Sequence, residues 1–152
     1  MATEAPDRKR MIELLNDDLS REYQAVIAYV VYSQVLKGAQ YMHIAGELEK
    51  HAQQELQHAI QIANQIDYFG GMPTGTPKPV KLSENAEDML RADLENEKAT
   101  IANYRTRVRQ ADAMGEFALS EVLREIVVQE QDHLIDLATA LGIDPPDPGE
   151  AR

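Results

Sequence analysis

Apolar side chains recur every three or four residues over four long stretches of this chain, the spacing of one helical face. The first stretch, α1, runs over about 8–37, with Gly38 near its end. The second, α2, runs over about 41–68 and stops at "FGGMPTGTPKP". The third, α3, starts after Ser83, which reads as an N-cap, and continues to about 113. Gly115 marks a short joint. The fourth, α4, covers about 116–141 and ends at Gly142, with Pro145 and Pro146 beyond it. The tail, 142–152, reads as irregular. Tight joints predict antiparallel α1–α2 and α3–α4 hairpins. Between the hairpins lies a Pro/Gly-rich strap, 69–82. A helix of about 28 residues is about 42 Å long, and fourteen extended residues reach about 46 Å. The strap can therefore run the length of the bundle. The expectation is an all-α, up-down-down-up four-helix bundle with one long crossover between α2 and α3. It forms a single domain over 1–152, with its bundle at about 8–141.

Stepping along the inward face of each helix exposes an anomaly. On α1 the stripe is Leu15, Leu19, Glu22, Val26, Tyr29; on α2 it is Leu48, His51, Glu55, His58, Ile62. On α3 it is Leu90, Leu94, Glu97, Ile101, Tyr104, Val108; on α4 it is Leu119, Leu123, Ile126, Glu130, His133, Leu137, Leu141. Each stripe is apolar except near its middle, where it carries a Glu. On α2 and α4 a His follows three residues later, on the same face. Glu22 and Glu55 lie 33 residues apart, as do Glu97 and Glu130. The hairpins read as halves of one pseudo-symmetric site.

Charge turns that pattern into chemistry. Four ionised carboxylates in one core are strongly unfavourable unless neutralised. No Lys or Arg occupies the central layer of any stripe. Two divalent metals would balance Glu22, Glu55, Glu97 and Glu130, with neutral His58 and His133 as further ligands. This is the di-iron or di-manganese carboxylate constellation. Oxygen and imidazole donors suit Fe or Mn, and the chain has no Cys for thiolate sites. The net charge of −11 favours cations as guests and argues against nucleic acid. No apolar run approaches a membrane span, and the N-terminus is no signal peptide, so a cytoplasmic protein is expected.

Other residues have plainer readings. Tyr29 is a candidate hydrogen-bonding neighbour of the ligands, while Tyr104 reads as a core aromatic. Asp18 and Asp93, four residues before the lone Glu of each hairpin, are candidates for orienting the imidazoles. His43 reads as solvent-facing, and Met11, Met42, Met72, Met89 and Met114 as packing. The acids of "ENAED" and "GELEK" read as solvated faces.

Over roughly residues 10 to 141 the chain resembles the bacterioferritins of the ferritin-like superfamily. The resemblance rests on "LNDDLSREYQAVIAYVVY", "ELQHA", "DMLRADLENE" and "VLREIVVQEQDH". It implies a di-iron ferroxidase centre of Glu22, Glu55, His58, Glu97, Glu130 and His133. Glu55 and Glu130 would bridge two irons; Glu22 with His58, and Glu97 with His133, would be terminal. It also implies oxidation of Fe²⁺ by O₂ or H₂O₂ and storage of iron in a shell. Three features depart from the family. Leu56 stands where the haem-binding Met follows the α2 Glu, so no haem is expected. The chain ends in a Pro-rich tail where the family carries a fifth helix lining the 24-subunit shell. His51 and Gln54 stand where the family places acids at the iron entrance.

The expected function is ferroxidase activity for iron storage and detoxification. The rivals are a non-storage peroxidase or manganese catalase, a structural metal site, and a DNA-binding mini-ferritin, which the acidic charge disfavours. Val30, Val31 and Val35, with Tyr23 and Tyr32, cannot all face the core. They predict a symmetric dimer through α1 and α2, with a larger cage as the further possibility.

Overall fold

The computed structural model describes residues 4–149. The helices are α1 (Arg8–Val35), α2 (Met42–Tyr68), α3 (Ala86–Met114) and α4 (Phe117–Leu141), with a 3₁₀ turn at Ala39–Tyr41 before α2. Helix α1 packs chiefly on α2 and α3 on α4; α1 also faces α3, and α2 faces α4. The all-α bundle with its long α2–α3 crossover is thus as expected. Among the described residues no helix is long and apolar enough to cross a membrane.

The ends of the helices differ from expectation in small ways. Helix α1 stops at Val35, because Leu36 turns to an extended backbone (ψ 129°). At its start, Asp7 accepts a hydrogen bond from the Arg10 amide at 2.7 Å. The N-cap of α3 is Asn85, not Ser83: its side chain accepts from the Asp88 amide at 3.0 Å. Ser83 instead accepts from the Asn85 amide, shaping the turn that leads into the cap. Helix α3 ends on Gly115, whose φ of 75° is a left-handed conformation open to glycine at little strain.

The strap lies along α1 and explains a row of polar residues there. Asn16 donates to the Met72 carbonyl and accepts from the Thr74 amide. Ser20 donates to the Thr76 carbonyl, and Gln24 to that of Pro79. Tyr32 closes the row on the Lys81 carbonyl. These positions are one helical turn or two apart, so one face of α1 satisfies the backbone of a segment too rich in proline to pair with itself. Gly71 starts the strap close against α1; a Cβ there would meet Ile12 at 2.5 Å.

Two apolar clusters fill the ends of the bundle. One gathers Tyr32, Leu48, Leu90, Leu94, Leu134 and Leu137. The other gathers Met11, Leu15, Leu19, Ile62, Leu119 and Leu123. The polar residues sit between them along each helix. Met11 and Met89 pack in these clusters, but Met42 and Met72 are exposed, correcting the packing role expected of them. The α1 residues that cannot all face the core divide, and Tyr32 is one that turns in. It is buried, turned inward by its hydrogen bond to the strap, and leaves the outer patch. Ile27, Val30 and Val35 remain exposed on α1, as do Leu56 and Ile60 on α2.

Candidate metal centre

The structure brings all six candidate residues together. Glu22, Glu55, His58, Glu97, Glu130 and His133 are each at most 3% exposed, so no side chain in the layer is neutralised by bulk water. His58 Nδ1 lies 2.9 Å from Glu130, 3.3 Å from Glu55 and 3.6 Å from Glu22. His133 Nδ1 lies 2.9 Å from Glu55, 3.6 Å from Glu97 and 3.7 Å from Glu130. They form two quartets of donor atoms, each within 4.8 Å of one another: Glu22, Glu55, His58 and Glu130, and Glu55, Glu97, Glu130 and His133. Glu55 and Glu130 belong to both.

The geometry around each imidazole selects which nitrogen faces the centre. His58 donates through Nε2 to Gln129 at 2.5 Å, and His133 through Nε2 to Gln54 at 2.6 Å. Each glutamine thus comes from the opposite hairpin and leaves Nδ1 for the carboxylates. This corrects the roles expected of Asp18 and Asp93. Asp18 takes a two-pronged contact from the buried Arg107, at 2.7 and 3.1 Å. Asp93 is buried, and its Oδ2 has no hydrogen-bond partner. Sequence reasoning placed Gln54 only at the iron entrance and passed over Gln129, although "QE" opens both "QELQH" and "QEQDH". Tyr29 does bond a site carboxylate, donating to Glu97 at 2.5 Å. Tyr104 does the same for Glu22 and is more than the core aromatic expected. Burial, then the neighbouring carboxylates, push both phenols well above their usual range. They remain neutral donors.

Without a cation the site must balance its charge with protons. Burial, then the charge of Glu130, pushes Glu55 and Glu97 well above the carboxylate range. Burial would raise Glu130, but the close Glu97, His133 and His58 override it and hold that carboxyl well below the range. Burial alone would lower both imidazoles. Their carboxylate contacts win, pushing His58 strongly up and His133 up to about 10. Even so, Glu22 Oε2, Glu55 Oε1, Glu97 Oε2, both Glu130 oxygens and His133 Nδ1 are buried without an aligned hydrogen-bond partner. Inward-facing donors that satisfy no protein group fit cations at the centre of each quartet.

The ferritin-like domain pattern matches residues 12–144. The chain belongs to the ferritin-like domain family. A bacterioferritin of Brucella melitensis is 29% identical over 135 residues, 88% of this chain and 84% of the relative. Among solved structures, a ferritin-like, diiron-carboxylate protein of Bacillus anthracis is 31% identical, with a TM-score of 0.85. The match covers 91% of this chain and 99% of that one. The bacterioferritin-related protein of Bacteroides fragilis, a dodecameric thioferritin, is 27% identical with a TM-score of 0.83. It covers 90% of this chain and 86% of its own.

The family fold carries an internal repeat here. Shifted by 75 residues, Asp18, Glu22 and Tyr29 become Asp93, Glu97 and Tyr104, and Gln54, Glu55 and His58 become Gln129, Glu130 and His133. His51 breaks the pattern, since its counterpart is Ile126. His51 stacks on His133, ring centroids 3.9 Å apart at 21°. Burial and the neighbouring His133 lower it to about 4. The expected solvent-facing position of His43 agrees with its exposure.

Proposed function

We propose that the chain oxidises Fe²⁺ to Fe³⁺ at this centre within one subunit, using O₂ or H₂O₂, and serves iron storage and detoxification. The observation that carries the reading is the pair of donor quartets sharing Glu55 and Glu130. Shared carboxylates let two Fe²⁺ bind side by side as substrate, with Glu22 and His58 on one and Glu97 and His133 on the other. Each ion gives up one electron, so a pair reduces O₂ to H₂O₂ or H₂O₂ to water. Hard carboxylate oxygens favour the ferric product. Mn²⁺ fits the same donors.

The protein's own part is positional. Gln129 and Gln54 hold the imidazoles with Nδ1 inward. Tyr104 and Tyr29 hold the terminal carboxylates Glu22 and Glu97, limiting the reorganisation needed as iron binds. Protons carried by the imidazoles leave as the cations arrive. Leu56, half-exposed on α2, offers no donor atom to haem. The apolar residues exposed on α1 and α2 support a two-fold dimer as the unit of assembly, and the dodecameric relative supports closure into a cage.

Aerobic addition of Fe²⁺ to metal-free protein, followed by sizing, tests this reading. Oxidation with growth of an iron-filled particle larger than a dimer is expected. Oxidation by a dimer alone turns the function towards a redox enzyme without storage. No oxidation above the buffer rate removes the ferroxidase reading.

A further inference from the structure

One side of the centre carries a second set of donors that neither quartet uses. Glu47 and His51 stand one turn apart on α2, and Asp136 faces them from α4. One donor atom from each lies within 4.8 Å of the others. His51 Nε2 is 3.1 Å from Asp136 Oδ2. His51 is 2% exposed, and its Nδ1 has no hydrogen-bond partner. A buried imidazole with one polar partner is an unfavourable way to fill a helix interface. Lys50 pairs with Glu47 Oε1 at 2.9 Å from a solvent-exposed position, which leaves the other Glu47 oxygen available.

The internal repeat supplies an independent argument. Under the same shift of 75 residues, Glu47 corresponds to Val122, His51 to Ile126 and Asp136 to Gln61. Ile126 is 1% exposed, so the equivalent layer of the other hairpin packs well around an aliphatic side chain. Packing therefore does not require a histidine at position 51. All three donors are present on one side of the pseudo-two-fold and absent on the other, as a set.

The surroundings open the set to a cavity that also touches His133. This cavity of about 320 Å³ is lined by these three donors together with Lys50, Gln54, Asp132, His133 and Ile135. It thus reaches both the three donors and one of the six centre residues. We infer that Glu47, His51 and Asp136 form a third, mononuclear site for a divalent cation in this cavity. Two carboxylates and an imidazole suit Fe²⁺, Mn²⁺, Co²⁺ or Zn²⁺. The stack of His51 on His133 puts an ion on His51 one ring away from the buried centre. The binding claim stands apart from the proposed function.

Co²⁺ titration of the full metal-free chain, followed by absorption and calorimetry, tests the site. Wild type should take up a tight pair and a third, weaker ion. His51→Ile borrows the residue that packs at the equivalent position. It should lose the third ion and keep the pair. Removing even an outer partner of a ligand lowers affinity about 10–100-fold, so losing the ligand itself should exceed that. Asp136→Ala, at a half-exposed position, should do the same and decides the matter if His51→Ile does not fold. Glu55→Ala should lose the pair and keep the third ion. If Glu55→Ala keeps the pair, the proposed function fails while the third site stands. Two ions in wild type, or a third ion that persists in both His51→Ile and Asp136→Ala, overturns the inference.

Discussion

The α1–α2 hairpin and the α3–α4 hairpin bring the same polar set to the bundle centre, yet support it differently. In both, a Glu is held by a Tyr of the other hairpin, and a Glu-x-x-His imidazole by a Gln of the other hairpin. The buried aspartates part company. Asp18 has Arg107, whose counterpart under the internal repeat is Tyr32. Tyr32 spends its hydroxyl on the strap and brings Asp93 no counterpart of the Arg107 ion pair. Burial pushes both aspartates up, and Arg107 offsets this in part for Asp18. The lesson is that residues at the candidate metal centre repeat, while residues around it are free to diverge into ion pairing, strap anchoring and the His51 cluster.

The largest effects should come from the residues shared by both quartets. Glu55→Ala and Glu130→Ala should each remove binding of the metal pair, a loss of about 100-fold or more in affinity. Glu22→Ala and Glu97→Ala should each weaken one ion preferentially. Anaerobic Fe²⁺ titration of the four variants measures how equivalent the hairpins are. A tight pair that survives in Glu55→Ala breaks the comparison at its centre.

Next comes the divergence around Asp18 and Asp93. Arg107→Met should cost about 3 kcal/mol, the low end for stranding a buried charge, because burial already favours a protonated Asp18. Asp93→Asn should change stability by less than about 1 kcal/mol, since the acid is already held towards its neutral form. Urea unfolding of the metal-free variants gives both numbers. Equal losses at the two positions would mean that Asp93 has an ionic partner after all. Gln54→Ala and Gln129→Ala should each weaken metal binding about 10–100-fold and by similar factors.

The pH response is gentler. The folded pKa of His133 is raised, from 6.5 to about 10. Its stabilisation of the metal-free protein is therefore fully present below about pH 6.5 and is lost as pH rises through about 10. The raised Glu55 and Glu97 act in the same direction. Metal-free protein should melt at a lower temperature at pH 9.5 than at pH 6.5. Metal-loaded protein, with both imidazoles deprotonated, should lack that loss.

Much of this was legible in the sequence, for a physical reason. A carboxylate in an apolar stripe is so unfavourable that four of them, each in a stripe that turns apolar towards both helix ends, announce a neutralising partner. Helix periodicity alone then set all six residues on inward faces. The cross-hairpin contacts were less legible. Whether Gln54 reaches His133 depends on the rotation and stagger of two helices, which periodicity does not fix. The same holds for Asp18, whose partner Arg107 comes from 89 residues away. Helix ends drifted by a few residues because several polar residues compete as caps, as Ser83 and Asn85 do. Which of Val30, Val35 and Tyr32 turns inward was not legible, because the strap's need for a hydrogen-bond donor is invisible in the α1 pattern.

The two quartets make one centre to which both hairpins of a single subunit contribute equally. Anomalous diffraction at the iron edge, from crystals grown metal-free and soaked anaerobically in Fe²⁺, tests it most directly. Two peaks about 3.5–4 Å apart are predicted between Glu55 and Glu130, one beside Glu22 and His58 and the other beside Glu97 and His133. A single peak held by one hairpin, or iron only at the subunit surface, would contradict it.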